Sequence, residues 1–173
     1  TVYQLTIPTD NPEIIDTSFK VLADQAFYLN FDAKEIEKER GVVLEEWRKN
    51  LGAATRMQDR IFEDIFAGAK YKERFPIGTE TSLKNFKHES LKNFYKDWYR
   101  PELMAVVAVG DFEATMIEEL IRTYFEQAPK SDNPRPRIEV NIPDHEEPLY
   151  TVISDPEVPG IQFRLLDQYN GSE

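Results

Sequence analysis

An α+β architecture, with a layer of helices packed on a mostly antiparallel sheet, is what this sequence predicts. Three observations carry that reading. Amphipathic stretches with helical spacing occupy residues 12–28, 32–50, 54–66, 88–99 and 114–127. Apolar or partly alternating runs of strand length stand at 2–7, 104–109, 149–154 and 161–166. Strands and helices do not alternate in the long βαβ repetition that builds a parallel sheet. At 173 residues, 40 % hydrophobic and 31 % charged, the chain has enough apolar side chains for one domain with a core.

The elements follow in order. Residues 2–7 (VYQLTI) read as a strand that opens without a preceding turn or cap, and Pro8 ends it. Asn11 caps a helix with Pro12 at its first position, and Ile15, Phe19, Leu22 and Ala26 keep one apolar face. A second helix follows over 32–50. After Gly52 a third places Ile61, Phe62 and Ile65 inward, with Arg56 and Arg60 one turn apart and directed to solvent. Residues 68–82 form an irregular stretch. The next helix carries an aromatic stripe, Leu91, Phe94, Tyr95 and Trp98, and Arg100-Pro101 stops it. The run 104–109 (MAVVAV) has the character of a central strand. Gly110-Asp111 turns into a helix over 114–127 with Ile117, Leu120, Ile121, Tyr124 and Phe125 inward, Asp111 being the expected cap. Between Pro129 and Pro148 five prolines are interleaved with charges, a linker with a short strand at 138–142. Two last strands, 149–154 and 161–166, are joined by DPEVPG.

The second helix holds the candidate chemistry. Asp32 is its N-cap, with Glu35 at the third helical position as in a capping box. On a wheel of 100° per residue, Ile36, Glu39, Val42, Val43, Glu46 and Trp47 share one stripe, while Lys34, Glu37, Lys38, Glu45, Arg48 and Lys49 lie opposite. Glu39 and Glu46, seven apart, project within about 20° of each other. Carboxylates on such a flank need a partner. Two readings are open from spacing: a metal ligand with a supporting carboxylate, or two glutamates paired with a cation from elsewhere or lying on a wet helix edge.

The run Glu39-Arg40-Gly41-Val42-Val43-Leu44-Glu45-Glu46 resembles the downstream zinc-ligand helix of the pitrilysin/insulinase peptidases, the inverzincins, whose upstream helix carries H-x-x-E-H. Tyr71, Phe75, Pro76 and Gly78 resemble that family's loop after the ligand helices. So do Y-x-x-W-Y-R-P-E-L-M from Tyr95, V-G-D-F from Val109, and the helix ending in Tyr124-Phe125. The resemblance implies the two-layer fold of the processing-peptidase domain. Residues 1–145 then form the C-terminal portion of the family's N-terminal domain, and 146–173 the connecting strands into the next. It implies a zinc metallopeptidase that hydrolyses peptides with a zinc-activated water. Glu46 would be the third zinc ligand, Glu39 the carboxylate that supports it, and two histidines and a general-base glutamate would come from H-x-x-E-H. The partners implied are a peptide substrate and a second homologous domain or subunit that closes the chamber. A non-catalytic homologue acting as scaffold or partner subunit is the alternative.

Only His88 and His145 are present, and neither lies in H-x-x-E-H, a run the family places several tens of residues before Glu46. The expectation is therefore a truncated chain that does not hold zinc by itself. His88 reads as a surface or capping residue, and His145, flanked by Asp144, Glu146 and Glu147, as part of a solvated loop. A net charge of −11 argues against a nucleic-acid surface. No apolar run is long enough to span a bilayer. Without cysteine there is no disulfide, thiol nucleophile or thiolate zinc site.

Overall fold

A computed structural model describes residues 1–167. Six α-helices occur among them: α1 (Pro12–Phe27), α2 (Ala33–Lys49), α3 (Ala53–Ile65), α4 (Glu80–Asn85), α5 (His88–Trp98) and α6 (Ala114–Phe125). Single 3₁₀ turns stand at Lys70–Glu73 and Pro101–Leu103. The chain divides into two compact units, one of residues 1–36 with 86–136, the other of residues 37–85 with the chain from Arg137 onward.

The predicted sheet is not there. Among the described residues no segment pairs into a strand, so the α+β expectation is corrected to a helical architecture. An apolar run reports side-chain preference; a strand also needs a ladder partner. Residues 2–7, 104–109, 149–154 and 161–166 have none among the described residues. Most of their side chains stay out of any core: Val109 is 92 % exposed and Phe163 93 %. The short strand expected at 138–142 is likewise unpaired. Of the segment 146–173, residues 168–173 lie outside the described residues.

In the first unit, α1 packs on α6. Ile15, Phe19 and Ile117 form the buried centre, with Met116, Leu120, Ile121, Tyr124 and Phe125 against it. Two of the segments expected as strands contribute one side chain each, Ile7 and Val106. Asn11 caps α1 by accepting from Glu13 N–H at 2.9 Å, with Pro12 in the first turn, as the sequence predicts. The Tyr124 hydroxyl donates to Asp16 Oδ1 at 2.8 Å across the pair. For α6 the cap differs: Glu113 holds that position and Asp111 does not.

Tyrosines tie α5 to α1. The Tyr95 hydroxyl donates to the Gln25 carbonyl at 2.9 Å. Its ring stacks on Tyr99 at 4.5 Å and meets Phe31 edge-on at 5.1 Å. Phe31 sits at φ 53°, a left-handed conformation that costs a non-glycine residue about 1–2 kcal/mol. The aromatic stripe expected on α5 is half realised: Tyr95 and Trp98 are half-buried, Leu91 and Phe94 exposed. Beyond α5, Arg100 is buried, donates to the Arg135 carbonyl at 3.1 Å and lies over the Trp98 ring.

The second unit has little apolar burial. On α3, Ile61, Phe62 and Ile65 are half-buried, and Phe62 stacks on Phe75 at 5.3 Å. Arg56 stays exposed, as the sequence suggests, but it is paired there. Its guanidinium meets both Asp155 oxygens, at 2.9 and 3.0 Å, and Glu157 at 3.0 Å. Thr151 donates to Asp64 nearby. These bonds hold the Asp155-Pro156-Glu157 turn on α3. Arg60 pairs with Glu63, three residues on.

Candidate functional site

The carboxylate helix α2 is entered through a polar cap. Asp32 Oδ1 accepts from Lys34 N–H at 2.8 Å and from Glu35 N–H at 3.2 Å, and the Asp32 N–H donates to Asn30 Oδ1 at 3.1 Å. The N-cap is where the sequence puts it.

The azimuth of the helix is not. Ile36 is buried, and Arg40, Val43, Leu44 and Trp47 are half-buried, while Glu39, Val42 and Glu46 are exposed. The inward arc is centred about 80° from Glu39 on the wheel, so both glutamates sit at its edge and beyond it. Their expected place on a buried flank is thus corrected. The physical reason is that Arg40 turns inward to the Leu83 carbonyl, which rotates the buried arc away from both glutamates.

The two glutamates nevertheless differ from their neighbours. Glu37 pairs with Arg40, and Glu45 with Arg48. Neither Glu39 nor Glu46 has a side-chain partner among the described residues. Glu46 lines a shallow depression of about 620 Å³ with Lys38, Gly41, Val42, Glu45, Lys49 and Asn50. All seven come from α2 and its last turn, so the depression is an uncovered helix face, not a cavity. Gly41 has open space where a Cβ would be.

A carboxylate oxygen is a zinc donor, and an unpaired one on an uncovered helix face suits that use. One such donor does not hold the ion. Among the described residues no three His, Asp or Glu side chains converge as a metal cluster. His88 opens α5. The His145 ring nitrogen Nδ1 lies 2.9 Å from the Glu147 carbonyl.

Sequence reasoning reads residues 68–82 as irregular and misses the short helix α4 that starts there. Gly78, at φ 79°, turns the chain; a Cβ there would come within 2.9 Å of Ser82 Oγ, so only glycine fits. Thr79 and Ser82 then cap α4 reciprocally, at 3.1 and 2.9 Å. The T-x-x-S spacing after a glycine is the available signal.

Similarity to known proteins places the chain in a metallopeptidase family. The chain belongs to the pitrilysin/insulinase peptidases: residues 85–166 match the family described as Peptidase M16 inactive domain. A zinc protease PQQL-like protein of Arabidopsis thaliana is 40 % identical over 162 residues, covering 92 % of this chain and 17 % of that protein. A probable zinc protease PqqL of Haemophilus influenzae is 32 % identical over 83 % of this chain and 16 % of its own length. The chain therefore spans about one-sixth of these relatives. Among solved structures, the first half of the periplasmic protease PqqL from Escherichia coli superposes with a TM-score of 0.70 at 25 % identity, over 76 % of this chain and 28 % of that one. A mutant of the ferredoxin protease FusC, in complex with Arabidopsis ferredoxin, gives 0.69 at 28 % identity, over 75 % and 14 %. No helix among the described residues is long and apolar enough to cross a membrane.

Proposed function

We propose that this chain supplies one carboxylate of the zinc centre of a peptide-hydrolysing metallopeptidase. Glu46 is the ligand and Glu39 the carboxylate that supports it. The observation that carries the reading is the contrast along α2. Glu37 and Glu45 are neutralised by arginines three residues on, while Glu39 and Glu46 share one uncovered arc without a partner among the described residues. Family membership gives that arc a use.

Zinc, when bound, polarises a water into a nucleophile at neutral pH. The chain's own contribution is positional. Glu46 presents an anionic oxygen from a rigid helix. Glu39, two turns before it at about 10 Å along the axis, adds negative charge that favours a cation and restrains a basic neighbour. The two histidine ligands and the general base come from outside these 173 residues. So does a second homologous domain that closes over an extended peptide.

The match of residues 85–166 to an inactive domain type favours a second reading, a non-catalytic scaffold or partner subunit. That match leaves α2 outside it, and a scaffold has no use for the unpaired glutamates. The test is zinc content and peptide cleavage in the assembled peptidase. Glu46→Gln is expected to abolish both, and Glu45→Gln to change neither appreciably. Full zinc retention and activity in Glu46→Gln would overturn the ligand assignment.

A further inference from the structure

α2 can offer Glu46 to a metal only if the helix is held at one azimuth. A rotation of roughly 10° about its axis moves a side-chain tip by about 1 Å at an outer radius of about 5–6 Å. Metal–ligand distances tolerate only about 0.2 Å. Apolar burial sets that angle only at the start of the helix, at Ile36; from Glu37 on, its inward residues are no more than half-buried.

We propose that Arg40 is the positioning residue of the carboxylate helix, a role that rests on the zinc reading above. Its side chain is 12 % exposed. Nε and Nη2 form a fork on Glu37, both at 3.0 Å, and Nη1 donates to the Leu83 carbonyl at 2.6 Å. Leu83 lies in α4, whose last carbonyls have no partner within the helix. Arg40 therefore satisfies a backbone acceptor and complements the negative end of α4. Asn85 caps the same end by donating to the Thr81 carbonyl at 2.8 Å.

The Leu83 carbonyl is itself well anchored. Phe75 stacks on Phe62 of α3 with their planes 18° apart, and Gly78 N–H donates to the Phe75 carbonyl at 2.9 Å. The Gly78 turn and the Thr79–Ser82 cap then fix the start of α4. A continuous line of contacts thus runs from α3 through 75–83 to Arg40, and it ends one residue from Glu39. The planar fork is what joins helix surface to carbonyl. A lysine has a single point of charge and cannot make both contacts in that geometry.

The experiment compares Arg40→Met, Arg40→Lys and Glu37→Gln in the assembled peptidase. Three readouts are used: zinc affinity by chelator competition, kcat and KM separately, and hydrogen exchange of α2 amides in the zinc-free protein. Arg40→Met is expected to weaken zinc about 10–100-fold, the usual worth of groups that orient a metal ligand. It should lower kcat with KM within about twofold and speed exchange in α2 before any metal is added. Arg40→Lys should fall between Arg40→Met and the parent. Glu37→Gln, which leaves the Leu83 bond, should cost no more than about fivefold, the worth of an exposed ion pair. Unchanged zinc affinity and α2 exchange in folded Arg40→Met overturn the proposal. If that variant does not fold, Arg40→Lys with parental affinity does so. Glu46→Gln separates the two layers: zinc retained in it sinks the zinc reading itself, whereas zinc lost in it but kept in Arg40→Met sinks only the role of Arg40.

Discussion

The α1–α6 pair and the α2–α4 region are held together by different physics. In the first, Ile15, Phe19, Ala23 and Ile117 are buried, and a stripe of half-buried residues surrounds them. In the unit that contains α3 and α4, the only buried side chain among the described residues is Ala69. There the ties are polar or aromatic: Arg40 to Leu83, Arg56 to Asp155 and Glu157, Thr151 to Asp64, Phe62 to Phe75. Fully burying a phenylalanine is worth about 2–3 kcal/mol. A neutral hydrogen bond nets about 1 kcal/mol and an exposed ion pair about 0–1 kcal/mol. The region that carries the candidate ligand is therefore the softer one, and its geometry depends on directional bonds. That division suits a site whose ligand is positioned by bonds and not by packing.

The largest expected effect that tests this contrast lies in the first region. Phe19→Ala empties the centre of the α1–α6 interface and should cost about 3–4 kcal/mol in equilibrium denaturation. A loss below about 1 kcal/mol would mean that the interface collapses onto the gap, and that the two regions are less different than they look.

A smaller effect is expected at Arg56. Its guanidinium is half-exposed, so Arg56→Ala should destabilise by less than Phe19→Ala, and added salt should shrink the difference between variant and parent. The parent should also lose this contribution in acid. The Asp155 carboxyl is held below its ordinary range by the Glu157 N–H first and by Arg56 second. A depressed carboxylate stabilises above its unfolded pKa and ceases to do so as pH falls through the folded one. Arg56→Ala and parent should therefore converge on acidification, as followed by hydrogen exchange across residues 151–158. Divergence in acid would remove the ion cluster from the account.

How much of this is legible in residue order depends on the reach of each interaction. Asn11-Pro12, Asp32 and the α6 stripe are local patterns, and the helices start and pack as those patterns dictate. The azimuth of α2 escapes such patterns, because hydrophobicity alone ranks Val42 inward and Arg40 outward. Arg40 turns in because a carbonyl 43 residues away accepts its proton. The partners of Arg56 stand 99 and 101 residues on, equally beyond any local pattern. The apolar runs at 104–109 and 161–166 signal strands, but an apolar run does not name the ladder it would join. For the candidate site, the choice of Glu39 and Glu46 over Glu45 comes from spacing and family pattern. Their exposure and their lack of ion-pair partners among the described residues come only from the fold.

The smallest effect is at the tyrosines of the first unit, and it sharpens the comparison by asking how much one exposed directional bond adds there. Tyr3 and Tyr99 share a hydroxyl–hydroxyl bond of 2.8 Å, and Tyr99 lies on Tyr95. The Tyr3 phenol is pushed up to about 12, by burial first and then by the bond to Tyr99 and the repulsion between two phenolates. An unperturbed tyrosine titrates near 10. Because the folded value is the higher, the pair's stabilisation is fully present below about pH 10 and is lost as pH rises through about 12. Tyr3→Phe should flatten the fall in stability across that interval and remove the latest step of the phenolate absorbance titration. The change is expected to be modest, since Tyr3 is 46 % exposed. If Tyr3→Phe titrates as the parent does, the Tyr3–Tyr99 bond contributes nothing to the first unit.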